Sequence, residues 1–246
     1  MDKLPERPEI PKLPPFVNML SRSQMRIGWC WLVIHAVALP FILSAFAEFA
    51  ETPMSEGQVN LLYYVISFAF VMLFLGKFLR RSFDILCDRI VFCLVVMVSG
   101  VVVYYALSYL AALILVLAEG GLPEENPNNA AIAGVALRDF GIMRAVSIFI
   151  APIVEEVLFR GVAFGSMRKY SRFSAYVISI ALFCIYHVWQ YVLVSADWTL
   201  LIYMVQYIAP GFVLARIYER SGSIWPAIFF HMGVNAFSFA YLAQTM

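Results

Sequence analysis

Long apolar runs separated by short polar segments dominate the pattern of hydrophobic and polar positions along this chain. The clearest runs, at 29–47, 61–76 and 91–118, are continuous rather than alternating and contain almost no charge. A run of about 18 or more apolar residues suits a helix that crosses a bilayer. Because lipid offers backbone groups no hydrogen-bond partner, each run must be helical or part of a closed barrel. Continuous hydrophobicity favours helices.

The pattern predicts an all-α, polytopic transmembrane helix bundle with about seven spans. We place them at residues 27–47, 59–77, 90–118, 145–165, 173–195, 199–216 and 224–243. Residues 1–26 are predicted to form a proline-rich tail with an interfacial segment, and 27–246 the transmembrane domain. The segment 119–140 is the one long loop of this prediction, because it contains adjacent glycines and two prolines.

Composition agrees with a membrane protein and excludes most soluble classes. The chain has 246 residues, 63% of them apolar and 13% charged, whereas a soluble domain has roughly 45–50% and about 25%. The net charge is +1 and no Lys/Arg-rich run exists, so nucleic acid is not an expected partner. The four cysteines form no CxxC pair and are interpreted as free thiols inside the bundle.

Basic residues predict the orientation of the bundle, because cytoplasmic segments of membrane proteins are enriched in Lys and Arg. Of the 17 basic residues, 14 lie in the tail and in the segments 77–89, 165–172 and 216–223. The segments that alternate with these hold only Arg138 and Arg144. We therefore expect a cytoplasmic N-terminus and a C-terminus on the outside.

Three ionisable residues lie close together within the fourth predicted span. A charged residue in a span costs about 2.5–3.5 kcal/mol on insertion scales and is a functional hypothesis by default. On a helix with about 100° per residue, Glu156 and Arg160 lie about 40° apart and can neutralise each other. Glu155 points about 100° away from Glu156 and is free to face something else.

Two histidines lie at a similar depth in other predicted spans. His187 is near the middle of the fifth span, and His231 is near the middle of the seventh, with Asn235 one turn later on the same face. We expect these side chains to converge with Glu155 in the bundle interior. For His35, in the first span, a hydrogen bond to a backbone carbonyl of a neighbouring helix is the preferred interpretation.

Several functions are compatible with this set of residues. Glu155 and a histidine can deprotonate a water, while His231 and Asn235 can donate to a developing oxyanion. Alternatively, Glu155, His187 and His231 are three ligands for a zinc ion with an open position. A proton or ion path and a purely structural polar core also remain open. Other intramembrane protease types are disfavoured, because the chain has no HExxH, no GxSxG and no aspartate inside a predicted span.

Three sequence boxes resemble those of one protease family. EEVLFR at 155–160 matches an EExxxR box, FCIYH at 183–187 an FxxxH box and HMGVN at 231–235 an HxxxN box. Their order and their placement on successive spans are similar to those of the CAAX protease and bacteriocin-processing (CPBP or Abi) family of intramembrane proteases. The resemblance covers about 145–242, and the first three spans share with the family only their apolar character.

The resemblance implies a peptide-bond hydrolase whose site lies within the bilayer. It implies that Glu155 and His187 activate water, that His231 and Asn235 stabilise the oxyanion, and that Glu156, Arg160 and Phe183 support them. No metal is favoured, with zinc on Glu155, His187 and His231 as the alternative. The expected partners are a peptide or membrane-protein substrate and lipid.

The resemblance also implies a bacterial plasma-membrane protein, and by analogy with the branch that trims prenylated proteins its site would open to the cytoplasm. Because members of the family are also tied to bacteriocin immunity, a non-proteolytic immunity or scaffold protein is the alternative function.

Overall fold

The computed structural model describes residues 16–122 and 125–245, apart from the side chain of Thr245. These residues are 89% helical with no strands, which confirms the all-α prediction. Most of the predicted proline-rich tail, residues 1–15, lies outside the described residues. The helices are α1 (Arg22–Phe49), α2 (Glu56–Asp88), α3 (Ile90–Glu119), α4 (Pro127–Ala145), α5 (146–168), α6 (Arg172–Ser195), α7 (Trp198–Ser221) and α8 (Trp225–Thr245).

Within the described residues, six helices are long and apolar enough to cross a bilayer: α1, α2, α3, α6, α7 and α8. The remaining predicted span, 145–165, is also helical, but it alternates between π-helical and α-helical segments. Pro152 has no N–H to donate to the preceding turn, and the π segment Val146–Ile150 lies immediately before the turn that contains it. A second π segment, Glu156–Phe164, contains most of the charged box.

Several boundaries differ from the predicted ones. α2 extends to Asp88 rather than 77, and α7 to Ser221 rather than 216. Helix capping explains two further differences. α1 begins at Arg22 rather than 27, because the Ser21 and Gln24 side chains cap each other's backbone N–H groups. The predicted loop 119–140 contains α4, which starts at Pro127 with the Asn126 side chain as its cap. Pro127, one of the two prolines on which the loop prediction rests, equally suits the first position of a helix, and Asn126 suits the cap before it.

The basic segments meet at one end of the bundle, which we call the basic end (16–21, 77–89, 165–172 and 216–224). Glu219 pairs there with Arg168 and Arg172 at 2.6 and 2.9 Å. The Ser223 hydroxyl donates to the carbonyl of Ser82 at 2.7 Å, which joins two further segments. This arrangement agrees with the common side that the distribution of Lys and Arg predicts.

The largest hydrophobic cluster lies between the basic end and the middle of the bundle. It includes Leu75 and Phe78 of α2, Val157 of α5, and Ile217 and Tyr218 of α7, all of them 0–1% exposed. Every residue of α5 from 154 to 166 is buried. This packed layer closes the bundle beneath the polar residues of the fourth predicted span.

Candidate active site

Glu155 lies in the interior of the bundle, where α5 changes from α-helical to π-helical geometry. Its side chain is only 5% exposed. Its Oε2 atom lies 3.9 Å from Nε2 of His187 on α6 and 3.9 Å from Nε2 of His231 on α8. Three helices therefore bring one carboxylate and two imidazoles to a single point, as the sequence-based depth argument predicts.

Hydrogen bonds at Nδ1 orient both imidazole rings. Nδ1 of His187 lies 2.8 Å from the carbonyl oxygen of Phe183, and Nδ1 of His231 lies 2.9 Å from Oε1 of Glu156. A carbonyl and a carboxylate only accept hydrogen bonds, so each Nδ1 carries the proton. In both rings it is the Nε2 atom that is left to face Glu155.

Glu156 and Arg160 form the ion pair that their spacing predicts. Arg160 Nη1 donates to Oε1 of Glu156 at 2.9 Å, and both side chains are fully buried. The other terminal nitrogen of Arg160 faces the backbone carbonyls of Pro210 and Gly211 on α7, at 3.5 and 3.3 Å. Since the same Glu156 oxygen also accepts from His231, the pair connects α5, α7 and α8.

Phe183 contacts both the ion pair and a catalytic candidate. The guanidinium carbon of Arg160 lies 4.2 Å from the centre of the Phe183 ring, within the range of a cation–π interaction. The rings of Phe183 and His187 have centroids 4.4 Å apart. Tyr207 stacks on His187 at 4.4 Å with an interplanar angle of 25°. These contacts fix the orientation of the His187 ring through packing.

Asn235 lines the same cavity as Glu155, His187 and His231. Its Nδ2 atom donates to the backbone carbonyl of Ser147 at 2.7 Å, rather than to those three side chains. An amide nitrogen carries two hydrogens, so one of them remains for a group in the cavity. The structure thus brings Asn235 to the site without joining it directly to the carboxylate.

A chain of tyrosines reaches Glu155 from the other side, and the sequence analysis missed it. The Tyr64 hydroxyl of α2 donates to Oε1 of Glu155 at 2.8 Å and lies 3.1 Å from the Tyr186 hydroxyl. Tyr63 is also 3.1 Å from Tyr186. The signal was a Tyr–Tyr pair inside an apolar run, since a buried tyrosine hydroxyl usually finds a hydrogen-bond partner.

His35 belongs to this tyrosine network, which corrects the interpretation of its partner. Its Nδ1 lies 2.8 Å from the Ser67 hydroxyl, and its Nε2 lies 3.0 and 3.2 Å from the hydroxyls of Tyr63 and Tyr186. The partners are thus side-chain hydroxyls and not a carbonyl of a neighbouring helix. The hydroxyls replace the carbonyl because α2 and α6 direct three of them at one ring.

One cavity of about 1080 Å³ contains the site. Glu155, His187, His231 and Asn235 lie in its wall, together with both tyrosines of α2. Some of its walls are apolar, and others carry amide side chains such as Gln190 and Gln206. The arrangement offers a water or a substrate amide access to a buried carboxylate that packing and hydrogen bonds hold in place.

Residues 138–237 match the family model described as "Type II CAAX prenyl endopeptidase Rce1-like". This range contains all three sequence boxes in order. Over this range the chain is similar to that family of membrane proteases. A curated relative, "Putative membrane peptidase YdiL" of Bacillus subtilis (strain 168), is 36% identical over 118 residues. That match covers 48% of this chain and 43% of the relative, so less than half of the relative's length is represented. No solved structure matches the chain.

The geometry of the three side chains suggested as zinc ligands tests whether this site could hold the metal. A tetrahedral zinc ion with bonds of about 2.0–2.2 Å needs donor atoms roughly 3.3–3.6 Å apart. Here the Glu155 oxygen lies 3.9 Å from each imidazole nitrogen. In the ranges 16–122 and 125–245, no group of three or more His, Cys, Asp or Glu side chains is arranged to hold a metal ion. As placed, the three side chains do not fit zinc.

Proposed function

We propose that the chain is an intramembrane endopeptidase in which Glu155 activates a water molecule for attack on a peptide bond. One observation carries this proposal. Oε2 of Glu155 is buried without a hydrogen-bond partner, and it lies at the same 3.9 Å distance from two imidazole nitrogens. Polar atoms separated by more than about 3.5 Å often share a bridging water.

A water between these atoms would have the partners that a buried water needs. Buried waters make about three hydrogen bonds, within a range of 2–4. The Oε2 atom and the two Nε2 atoms supply three contacts around one point. The water can donate to the carboxylate and to His187, and accept from His231 when that ring is protonated.

Protonation of His231 would also balance the charge of the buried cluster. Glu155 and Glu156 carry two negative charges, and Arg160 carries one positive charge. With a protonated His231 between the two carboxylates, the cluster is neutral. Neutrality matters because an uncompensated charge is costly in a low-dielectric interior. The protonated ring then points an N–H group into the cavity.

The proposed reaction uses these groups in sequence. The water oxygen forms a bond to the scissile carbonyl carbon while its proton passes to Glu155, with His187 assisting. The negative charge that develops on the carbonyl oxygen is stabilised by N–H groups of His231 and Asn235. The C–N bond then breaks, and the proton held by Glu155 moves to the leaving amine. Atoms and charge balance without a covalent enzyme intermediate.

Glu156, Arg160 and Phe183 are proposed to position this machinery. Arg160 holds Glu156, and Glu156 holds Nδ1 of His231. The backbone carbonyl of Phe183 accepts a hydrogen bond from His187, and the Phe183 ring packs against the guanidinium group of Arg160. The peptidase name of the curated relative supports the same class of reaction for this chain.

The proposal is tested with purified protein in detergent and a fluorogenic peptide. Glu155→Gln keeps the size of the side chain and should reduce kcat/KM by about 10²–10⁴-fold, the usual contribution of a general base. Glu48→Gln, a glutamate exposed on α1, is the matched control and should cleave like the wild type. Equal activity in Glu155→Gln would refute the assignment of the base.

The metal question needs its own measurement. We propose a metal-free mechanism, so activity should survive strong chelation, and metal analysis of the purified protein should give no stoichiometric zinc. Zinc at one ion per chain, lost together with activity, would contradict the metal-free mechanism. An inactive protein whose Glu155→Ala variant preserves the cellular phenotype would instead favour the immunity or scaffold function.

A further inference from the structure

The position of the cavity relative to the two ends of the bundle defines the side from which the site is reached. The cavity extends from Glu155 to residues of the segments 48–58 and 119–144, including Met54, Glu56 and Asn129. These are the segments that lack the basic enrichment. No described residue of the basic end lines it.

The other direction is blocked by packed side chains. Below Glu155, the α5 residues Leu158, Phe159, Val162 and Phe164 are 0–1% exposed. At the basic end, hydrogen bonds join the segments, such as those of Ser82 with Ser223 and Ile224, and the cavity found there shares no lining residue with the one that contains Glu155. Of the two ends of the bundle, the described residues therefore leave the one opposite to the basic end as the route by which a peptide could reach the carboxylate.

Outside the charge-balanced cluster around Glu155, the charged groups in the cavity wall are of one sign. Apart from the two histidines, the charged side chains among the described lining residues are Glu56, Glu125 and Glu155, and no Lys or Arg is among them. A cleft lined by one sign of charge concentrates ligands of the opposite sign and disfavours like charge. A segment with a carboxylate would meet repulsion from Glu56 and Glu125 before it reaches the charge-balanced cluster around Glu155.

We propose that the site opens to the extracytoplasmic side and accepts a peptide segment that is neutral or basic. The side follows from the cavity's position together with the positive-inside distribution of Lys and Arg. It is opposite to the cytoplasmic opening expected from the prenyl-protein branch. The inference rests on the proposed function for its substrate class, but the side of access can be measured without any activity.

Cysteine labelling in intact cells tests the side of access. Cys30 and Cys87 are exposed, which corrects the prediction that all four cysteines lie inside the bundle. Cys87 lies within the basic end and serves as the internal marker of that side. Asn129→Cys and Glu56→Cys, on different helices and exposed at the cavity wall, are made singly in a Cys30→Ser background. A membrane-impermeant maleimide should label both new cysteines in intact cells, and Cys87 only after permeabilisation.

The outcomes of this labelling are separate from those of the peptidase assay. New cysteines that react only after permeabilisation would overturn the proposed side, as would labelling of Cys87 in intact cells. Each variant is first checked for a single peak in gel filtration. Loss of the Glu155 dependence of cleavage would refute the peptidase function and leave the labelling result intact.

Protection from labelling tests the charge preference without turnover. The protein carries His187→Ala to prevent cleavage and Asn129→Cys as the reporter. Two apolar peptides that differ only in one Lys or Glu are compared, and the Lys peptide should protect at a several-fold lower concentration. Glu125→Gln should reduce that difference. Equal protection by both peptides, or better protection by the Glu peptide, would overturn the substrate class.

Discussion

At the basic end of the bundle, polar side chains bind one another across the connecting segments, whereas at the opposite end they line a cavity. Glu219 accepts hydrogen bonds from Arg168, Arg172 and Tyr176, so both of its carboxylate oxygens are used. Glu155 has one oxygen held by Tyr64 and the other without a partner. The two glutamates have the same chemistry but are satisfied to different degrees.

This difference separates stability from function. A carboxylate whose oxygens all accept hydrogen bonds stabilises the folded state, whereas a buried oxygen without a hydrogen-bond partner normally destabilises it. Such an atom persists only where the surrounding structure holds it. Substitutions at the cavity should therefore affect catalysis most, and substitutions at the basic end should affect stability alone.

The largest expected effect is on activity, at the cavity. His187→Ala removes an imidazole that faces the free oxygen of Glu155, so kcat/KM should fall by about 10²–10⁴-fold. The melting temperature in detergent should change much less, because the ring is packed at the cavity wall. Peptide cleavage and thermal unfolding measured on the same preparation check this. Wild-type activity would show that the cavity does not carry the chemistry.

The next largest effect is expected on both activity and stability, because Arg160 holds the buried cluster of Glu155, Glu156 and His231 together. Arg160→Met leaves Glu156 buried without its cation, and breaking a buried pair costs about 3–5 kcal/mol of unfolding free energy. Activity should fall as well, since Glu156 orients His231. The double variant Arg160→Met, Glu156→Gln removes the orphaned charge and should recover part of the stability. A single variant as stable as the double one would contradict this account.

A smaller effect on activity is expected from the tyrosine network. Tyr64→Phe removes a hydrogen bond to the proposed base, and hydrogen bonds to charged groups contribute about 1.5–3 kcal/mol. If that energy acts on the transition state, kcat/KM falls about 10–100-fold. Tyr63→Phe is the matched control, since its hydroxyl bonds Tyr186 and His35 but not Glu155.

The pH dependence of kcat/KM separates positioning from a general loss of structure in these two variants. It should change in Tyr64→Phe and stay unchanged in Tyr63→Phe, because only the first hydroxyl touches the base. The same profile in both would assign the network a structural role only.

The smallest effect is expected at the basic end. Glu219→Gln keeps the shape of the side chain but removes its charge, and should lower the unfolding free energy by about 1–2 kcal/mol. The loss is limited because Arg172 is 59% exposed and its pair is screened by solvent. Activity per folded molecule should equal that of the wild type. A loss of turnover would show that the basic end is coupled to the site.

The sequence by itself determined the fold class, the common side of the basic segments and the Glu156–Arg160 pair. These features depend on local spacing: the length of an apolar run, the distribution of Lys and Arg, and residues four apart on a helix. Depth along each helix was also enough to predict that Glu155, His187 and His231 meet.

Only the tertiary structure decided how these residues are held and from where they are reached. No spacing along the chain could show that Tyr64, 91 residues before Glu155 in sequence, donates to its carboxylate, or that His35 joins the same network. The shape of the cavity also depends on which helices pack tightly and which diverge. Such contacts arise between distant segments, so they follow from three-dimensional packing and not from a local pattern.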